Sequence, residues 1–447
     1  MIDKQLNRRC FLGRSTGAVA ATWATSTLMA GELPPVTQPR ATSGDDRHQP
    51  DWDEQLTVTV GPDKADIVGT TEKAIQAAVD YVARLGNGSV KILPGEYRFR
   101  NSVFLPSDIR IVGSGLDSVL KKEESIAAKL VEDSDWYDQE ITLADASGFQ
   151  LGDGVFLTVT KPGAGGQVNL KRTLVAQNGN RFKLDRPLRK NVWLSGEPNC
   201  RTSFPMFSGE NIENLLIEDL TFDGNRANNV NMNGNHGGCI WLQDCNKLTM
   251  RGLTLRDYNG DGISWQVCHD VIVENCHSVG NADLGLHPGS GSQRPLIRNN
   301  HLERNGIGVF WCWGVKYGLA ENNKIIDSVK HGMTIGHNDT DNVIRNNEII
   351  NSGIGGILFR NPTHGKDFWA NRNTVEKNRI VDSGDEKGIA IDVTGKTKDV
   401  VIAGNEIVET RKSASRIGIR VGADTSNIRL ADNKVTGFAK GIEDLRA

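Results

Sequence analysis

One three-residue word recurs along the middle of the chain: Cys239-Ile240-Trp241, Gly262-Ile263-Ser264, Gly285-Leu286-His287, Gly308-Val309-Phe310, Gly332-Met333-Thr334 and Gly356-Ile357-Leu358. The copies are 23 or 24 residues apart. The second residue is always aliphatic and the third is variable, so one side chain points into a core and the next points out. A fixed period with strand alternation inside it is typical of a solenoid, whose units cannot bury their apolar faces alone.

A second position of the same unit is occupied by asparagine. It comprises Asn300, Asn323, Asn347, Asn378, Asn405 and Asn433. Stacked coils place equivalent residues about 4.8 Å apart, so these amides can form a ladder in which each donates to the next carbonyl. Short β-branched runs ended by Gly, Asn and Asp turns make each unit a coil of strands. The sequence therefore predicts an all-β fold, a right-handed parallel β-helix.

Composition sets limits on the function. The 447 residues carry 52 Lys and Arg against 55 Asp and Glu, a formal net charge of −3, which gives no electrostatic case for nucleic acid or an acidic membrane. None of the seven cysteines forms a paired Cys-x-x-Cys. Cys245 and Cys268 occupy equivalent positions one coil apart, and we expect buried free thiols there.

The N-terminus has the features of an export signal. Asn7-Arg8-Arg9-Cys10-Phe11-Leu12-Gly13 resembles a twin-arginine motif, and a weakly apolar run follows to Met29. We expect residues 1–30 to be removed after export to the periplasm or the cell exterior, which leaves no membrane span. Residues 31–55 are predicted to be a Pro-containing linker.

Residues 56–120 predict a capping helix and the first coils. An amphipathic helix is expected over Thr70–Tyr81, with strands after it. The words Ala74-Ile75-Gln76-Ala77-Ala78, Val90-Lys91-Ile92-Leu93-Pro94-Gly95 and Ile109-Arg110-Ile111-Val112-Gly113 resemble the entry of the pectate lyase superfamily. Residues 121–200 interrupt the period and are predicted to form a β-hairpin insertion. The repeats of the parallel β-helix are expected over residues 201–447.

Two aspartates on neighbouring coils are the first candidates for catalysis. Asp261 precedes its repeat glycine by one residue and Asp283 precedes the next by two, which predicts carboxylates within about 5–10 Å, the range of a glycosidase pair. Asn259, Asp261, Gly262 and Ile263 resemble the Asn-Thr-Asp-Gly-Ile word of polygalacturonases. The paired Asp-Asp word of that family is absent from the next coil.

His287 is the third catalytic candidate. Its word, Leu286-His287-Pro288-Gly289, loosely resembles the Asp-Pro-His word of alginate epimerases with the order changed. An outward imidazole with a pKa near neutrality can remove the proton next to a uronate carboxylate or act as a general acid.

The neighbouring coils supply candidates for substrate and metal binding. Aromatic faces stack on sugars and cations hold carboxylates, whereas a His with an Asp can bind a metal. The platform candidates are Trp241, Phe310 and Trp313, the cationic ones are Lys316, His331 and Arg360, and the metal candidates are His337 and Asp339. By alternation Trp265 and Trp311 are expected in the core.

Three classes of function remain open at this stage. The first is an exported enzyme, a lyase or hydrolase, that cleaves an acidic polysaccharide in a groove along the parallel sheet, and the superfamily resemblance implies Ca²⁺ as a cofactor that neutralises the uronate. The second is a non-enzymatic periplasmic protein that resembles the copper-site accessory β-helix proteins of nitrous oxide reductase maturation. The third is a glycan-binding surface module.

Overall fold

The computed structural model describes residues 51–161, 166–362, 367–412 and 415–446. The predicted signal at 1–30 and residues 31–50 of the predicted linker lie outside these ranges. No helix within them is long and apolar enough to cross a membrane.

The repeats form three long parallel sheets, which we call sheets I, II and III in the order in which each coil visits them. The strands of sheet I, in stacking order, are Val103–Phe104, Phe207–Glu210, Ile240–Gln243, Ile263–Gln266, Leu284–Gly289, Ile307–Phe310, His331–Ile335, Gly355–Phe359, Ile389–Val393, Ile417–Val421 and Lys440–Asp444. Those of sheet II are Ile67–Val68, Thr57–Gly61, Gly88–Ile92, Ile109–Val112, Glu213–Glu218, Asn246–Arg251, His269–Glu274, Leu296–Arg298, Leu319–Glu321, Val343–Arg345, Thr374–Glu376, Val401–Ala403 and Arg429–Ala431. Those of sheet III are Gly95–Phe99, Ser118–Lys122, Thr221–Asp223, Thr254–Arg256, His277–Val279, His301–Glu303, Lys324–Ile326, Glu348–Ile350, Arg379–Val381, Glu406–Val408 and Lys434–Thr436.

The repeat positions stack in register, as the sequence predicted. Ile240 pairs with Ile263, which pairs with Leu286, and these side chains are fully buried. Each such side chain contributes about 1.5–3 kcal/mol by leaving water, so every added coil extends the same core. Trp265 and Trp311 are buried in it, as expected. The predicted parallel β-helix is confirmed.

The asparagine ladder is present too. Asn300 Nδ2 donates to Asn323 Oδ1 at 2.9 Å, and Asn323 Nδ2 donates to Asn347 Oδ1 at 2.8 Å. Each amide also donates to a main-chain carbonyl, for example Asn323 to Ile297 at 2.9 Å. The buried amides at the turns after sheet II therefore have partners.

A helix over Glu72–Arg84 packs on the first strands, two residues later than predicted at its start and three at its end. Its buried face includes Ile75, Val79 and Val82, which cover the open end of the core. Thr71 occupies the N-cap position, but its side chain makes no capping hydrogen bond.

The interruption of the period forms an antiparallel sheet, which we call the insertion sheet. Its strands are Ala127–Lys129, Asn199–Arg201, Gly154–Thr160, Gln167–Asn178, Arg181–Leu184 and Glu140–Thr142. A separate core that includes Leu143, Leu174 and Phe182 holds it together. An ion pair from Arg100 Nε to the buried Asp153 Oδ1, at 2.7 Å, links it to the β-helix. Short helices occur at Gly115–Asp117, Leu194–Gly196, Arg226–Asn228 and Gly234–Gly237.

Candidate functional site

The outward side chains of sheet I form a row that we call the outer row. In stacking order it contains Phe104, Ser208, Trp241, Ser264, His287, Phe310, Thr334 and Leu358. Neighbouring strands lie about 4.8 Å apart, so residues from coils far apart in sequence meet here.

His287 of this row forms a buried pair with Asp261, which precedes the neighbouring strand Ile263–Gln266. The imidazole Nδ1 lies 2.7 Å from Asp261 Oδ2, and the side chains are 3% and 1% exposed. The other carboxylate oxygen, Oδ1, accepts the Leu284 N–H at 3.1 Å. Asp261 is thus held on both oxygens, one of which orients the ring.

The hydrogen bonds around Ser264 indicate which ring nitrogen of His287 carries the proton that is donated to Asp261. Ser264 Oγ lies 3.4 Å from His287 Nδ1, but the hydroxyl donates to the Gly234 carbonyl at 2.9 Å. It also accepts from Gln266 Nε2 at 3.0 Å. Nδ1 therefore donates to the carboxylate, and in the neutral imidazole the lone pair is then on Nε2. Within the described chain, that buried Nε2 has no hydrogen-bond partner.

Asp283 lies at the same edge as Asp261, as the spacing predicted. Burial raises the pKa of Asp283, and the negative charge of Asp261 raises it further. Asn231 Nδ2 donates to Asp283 Oδ1 at 3.1 Å, and this hydrogen bond lowers the pKa of Asp283. The two carboxyls are neighbours, yet Asp261 is engaged with His287 and is not a free partner for a hydrolytic pair.

A segment that the periodicity did not predict covers the pair. We call it the covering segment; it comprises residues 224–238, between a strand of sheet III and the next of sheet I. A Cβ on Gly234 would lie 1.6 Å from Asp261 Oδ2, so only glycine fits there. Asn259 Nδ2 donates to the Val230 carbonyl at 2.6 Å and ties the segment down. The glycine-rich word Gly234-Asn235-His236-Gly237-Gly238 was the sequence signal for this close approach.

A cleft of about 410 Å³ opens beside the covering segment. It is lined by Asn235, His236, Gln243, Gln266, Val267, Ser290, Cys312 and Trp313. Polar and aromatic groups converge there, which is typical of a ligand site.

Phe310 and Arg360 lie on the coils after His287. The Phe310 ring meets the imidazole edge-on with centroids 5.3 Å apart, and the Arg360 guanidinium lies 4.2 Å from the Phe310 centroid. Arg360 also donates to the Trp311 carbonyl and lies 3.4 Å from Asp339 Oδ2. A positive charge is thereby held one aromatic ring away from His287.

Asp339 is engaged by protein groups. Its oxygens accept the Val315 N–H at 2.9 Å and the Gly336 N–H at 2.8 Å. Burial raises the pKa of Asp339 to about 7, which the positive charge of Arg360 opposes. The predicted metal partner, His337, instead stacks on Trp313 with ring centroids 5.0 Å apart.

The described residues contain no group of three or more His, Cys, Asp or Glu side chains suited to a metal ion. Their cysteines, Cys245 and Cys268 included, are free and buried. Within the ranges that the structure describes, no such cluster supports the Ca²⁺ implied by the superfamily resemblance, or a copper site.

One of the predicted platforms, Trp241, differs from expectation. Trp241 faces outward but is only 3% exposed, because Lys171 of the insertion sheet places its amine 2.8 Å from the ring centroid. An open stacking face at Trp241 was therefore a wrong expectation. Trp313 is 43% exposed, with His337 stacked on one face and Phe368 against an edge.

The remaining predicted cations lie away from the pair. His331 begins a later strand, where burial lowers its pKa, and it lines a cavity of about 290 Å³ with Leu358, Asp392 and Arg420. Lys316 follows the turn after sheet I, and its main chain forms isolated parallel β-bridges with Gln293 and Thr340. His287 of the outer row contacts both Asp261 and Phe310, whereas Lys316 lies outside the row.

The family described as "Right handed beta helix region" matches residues 238–364. The protein is a right-handed parallel β-helix. Solved β-helix structures resemble it at low identity, which shows the fold alone. PfbA, a surface adhesin of Streptococcus pneumoniae, is 14% identical with a TM-score of 0.51, over 86% of this chain and 93% of that one. The A-module of the Azotobacter vinelandii mannuronan C-5 epimerase AlgE4 is 14% identical with a TM-score of 0.50, over 87% and 100%.

An exopolygalacturonase from Thermotoga maritima is 11% identical over 82% of this β-helix and 88% of its own chain, with a TM-score of 0.45. No curated protein matches the β-helix by sequence.

Proposed function

We propose that the protein acts on an acidic polysaccharide and that His287 removes the proton next to a uronate carboxylate. The observation that carries the proposal is the His287–Asp261 pair, in which Nδ1 is bound at 2.7 Å and Nε2 has no partner within the described chain. An imidazole oriented by a buried carboxylate, with its second nitrogen free, is the arrangement of a general base.

The step balances as a proton transfer. Nε2 takes the hydrogen on C5 of the uronate as a proton, and the electron pair of the broken bond moves into the bond between C5 and the carboxylate carbon. Asp261 stabilises the imidazolium that forms. Either the C4–O bond then breaks, a 4,5 double bond forms and the leaving oxygen takes a proton from water, or water supplies a proton to the opposite face of C5 and the imidazolium releases its proton to solvent.

Charge placement supports an anionic substrate. The Arg360 guanidinium lies on the Phe310 ring, which contacts His287, and a positive charge there favours the developing negative charge. Hydrolysis is less well supported, since Asp261 is bound to His287 and to the Leu284 N–H.

A second candidate function, glycan binding without turnover, is favoured by the burial of Nε2. His287 is 3% exposed, with the covering segment bound to Ser264 on one side and Phe310 against its ring, so a substrate reaches Nε2 only when groups around the ring move.

One experiment separates the two candidates. Wild type and His287→Gln are incubated in D₂O with galacturonan, mannuronan and guluronan, and deuterium at C5 and the ultraviolet absorbance of unsaturated products are followed. We expect exchange or elimination by wild type, and a loss of about 10²- to 10⁴-fold in His287→Gln. His277→Gln, on the exposed face of sheet III, is the matched control. Binding of a polyuronate with no exchange in wild type would contradict the base and establish the binding module.

We also propose export by the twin-arginine route to the periplasm or exterior, which the residues of 1–30 support. N-terminal sequencing of the mature protein from fractionated cells tests it, and recovery of uncleaved protein in the cytoplasm alone would exclude it.

A further inference from the structure

Lys171 brings a charge into the outer row from outside the β-helix. It lies on the insertion strand Gln167–Asn178, and its amine sits 2.8 Å from the Trp241 ring centroid. Trp241 is in register with Ser264, which is in register with His287. Two coil steps correspond to about 10 Å, so an oligosaccharide bound along the row can reach both positions.

The amine of Lys171 has no hydrogen-bond partner within the described residues, and its nitrogen is buried. A buried ammonium normally has a hydrogen-bond partner, because leaving water without one costs several kcal/mol. The ring face of Trp241 attracts the cation but accepts no conventional hydrogen bond. Burial lowers the pKa of Lys171 to about 7; the charge of Glu210 raises it and that of Arg186 lowers it.

A cleft lies close to the Lys171 side chain. A cleft of about 450 Å³ lies between the insertion sheet and the first coils, and Phe104, Ser208, Glu210, Thr173 and Arg186 line it. A narrower cavity of about 30 Å³, room for about one water, is lined by Lys171 and shares Phe104, Ser208 and Glu210 with that cleft. The amine itself is buried, so a ligand in the cleft reaches it only when the Lys171 side chain turns from the Trp241 ring toward the cleft.

We propose that Lys171 binds the carboxylate of a second sugar, two coils before His287, and that the substrate is a polyuronate with acidic residues at more than one position of the bound segment. This inference rests on the proposed function for the position of the reacting sugar. The ammonium supplies three donors, and a carboxylate would complete a charge-assisted hydrogen bond that the protein leaves unmade.

The test measures binding and needs no turnover. Oligogalacturonate and oligomannuronate, with their carboxyl-reduced counterparts, are titrated by calorimetry into wild type, Lys171→Met and Lys190→Met. Lys190 is an exposed lysine of the same insertion and serves as the control. We expect Lys171→Met to weaken binding of an acidic oligosaccharide about 10- to 100-fold, with little effect on the reduced forms. Lys190→Met should bind like wild type.

Thermal unfolding of the same variants distinguishes ligand binding from a structural role. If Lys171 serves the ligand, its replacement by Met should leave the Tm unchanged or raise it, because an unpaired buried amine is removed. Unchanged affinity in Lys171→Met, equal loss for acidic and reduced sugars, or no binding of either acidic oligosaccharide to wild type would overturn the inference. If Lys171→Met lost affinity for acidic but not for reduced oligosaccharides, and wild type showed no C5 exchange, the carboxylate subsite would stand. Only the role of His287 as a base would then be rejected.

Discussion

His287 Nδ1 lies 2.7 Å from Asp261 Oδ2, although 26 residues separate the two in sequence. The contact exists because one coil of the β-helix places Leu284, Leu286 and their neighbours directly beside the preceding coil. The pair is thus a product of the stacking period, and its geometry is fixed by the rigid sheet beneath it.

Asp261→Asn should abolish proton abstraction while keeping the shape of the site. The amide oxygen can still accept the Leu284 N–H, but its NH₂ group then faces His287 Nδ1 and favours the tautomer with the proton on Nε2. We expect C5 exchange to fall about 10²- to 10⁴-fold. Nitrogen NMR of the histidine ring reports the change of tautomer directly.

The matched control for that change is Asp257→Asn, an aspartate of the turn on the same coil. It should retain exchange and the wild-type tautomer. If Asp261→Asn kept both as well, the carboxylate would have no orienting role.

Gly234→Ala should displace the covering segment or the Asp261 carboxylate. A Cβ at this position would lie 1.6 Å from Asp261 Oδ2. Alanine has no side-chain rotamer that could move its Cβ away, so either the main chain or the carboxylate must shift. Overpacking of this kind costs about 1–3 kcal/mol, and we expect a matching loss in the free energy of unfolding together with reduced activity. Urea unfolding and C5 exchange measure the two effects.

Gly441→Ala is a suitable comparison, because its nearest neighbour, a methyl of Val435, would lie at an ordinary 3.7 Å. We expect it to unfold like wild type. Equal behaviour of the two variants would mean that the covering segment yields freely at Gly234.

The fold and the site differ in how far the sequence predicts them. The period predicts the sheets, the buried Trp265 and the edge shared by Asp261, Asp283 and His287, since all of these follow from equal spacing. The covering segment and Lys171 belong to insertions without a period, and their contacts with the outer row depend on tertiary packing. The alternation of the repeat correctly predicts that Trp241 faces outward. It does not predict that Lys171 of the insertion covers the ring, because that contact depends on tertiary packing.

Asn323→Ala should destabilise the ladder strongly. It would remove the buried acceptor of the Asn300 main-chain N–H and of Asn300 Nδ2, and it would remove a donor to the Ile297 carbonyl and a donor to Asn347 Oδ1. Each orphaned group costs about 1–3 kcal/mol, so we expect a loss of about 3 kcal/mol or more in the free energy of unfolding. Urea denaturation measures it.

Asn433→Ala tests whether burial sets that cost. Asn433 makes equivalent bonds to Asn405 and to the Ile402 carbonyl at the end of the ladder, but it is only half-buried and water can replace it. A smaller loss than for Asn323→Ala is expected. Equal losses would show that the ladder stabilises through its amides regardless of depth.

Lys122→Met should change how stability depends on pH. The Lys122 amine is fully buried; it donates to Asn259 Oδ1 at 2.9 Å and to the Phe204 carbonyl at 3.1 Å. Burial lowers its pKa from 10.5 to about 7. Between these values the unfolded chain binds a proton that the folded chain does not, so this residue makes stability rise with pH, by at most about 1.4 kcal/mol per pH unit.

The measurement is the difference in unfolding free energy between wild type and Lys122→Met at pH 7, 8, 9 and 10. Titration of buried groups that do not interact with Lys122, such as the Cys276 thiol, cancels in that difference. We expect the unfolding free energy of wild type, relative to that of Lys122→Met, to increase as pH rises through this window. For Lys121→Met, at a partly exposed neighbour, the difference from wild type should not change with pH. A flat line for Lys122→Met would mean that the amine stays charged in the fold, held by Asn259 and the faces of Phe204 and Tyr258.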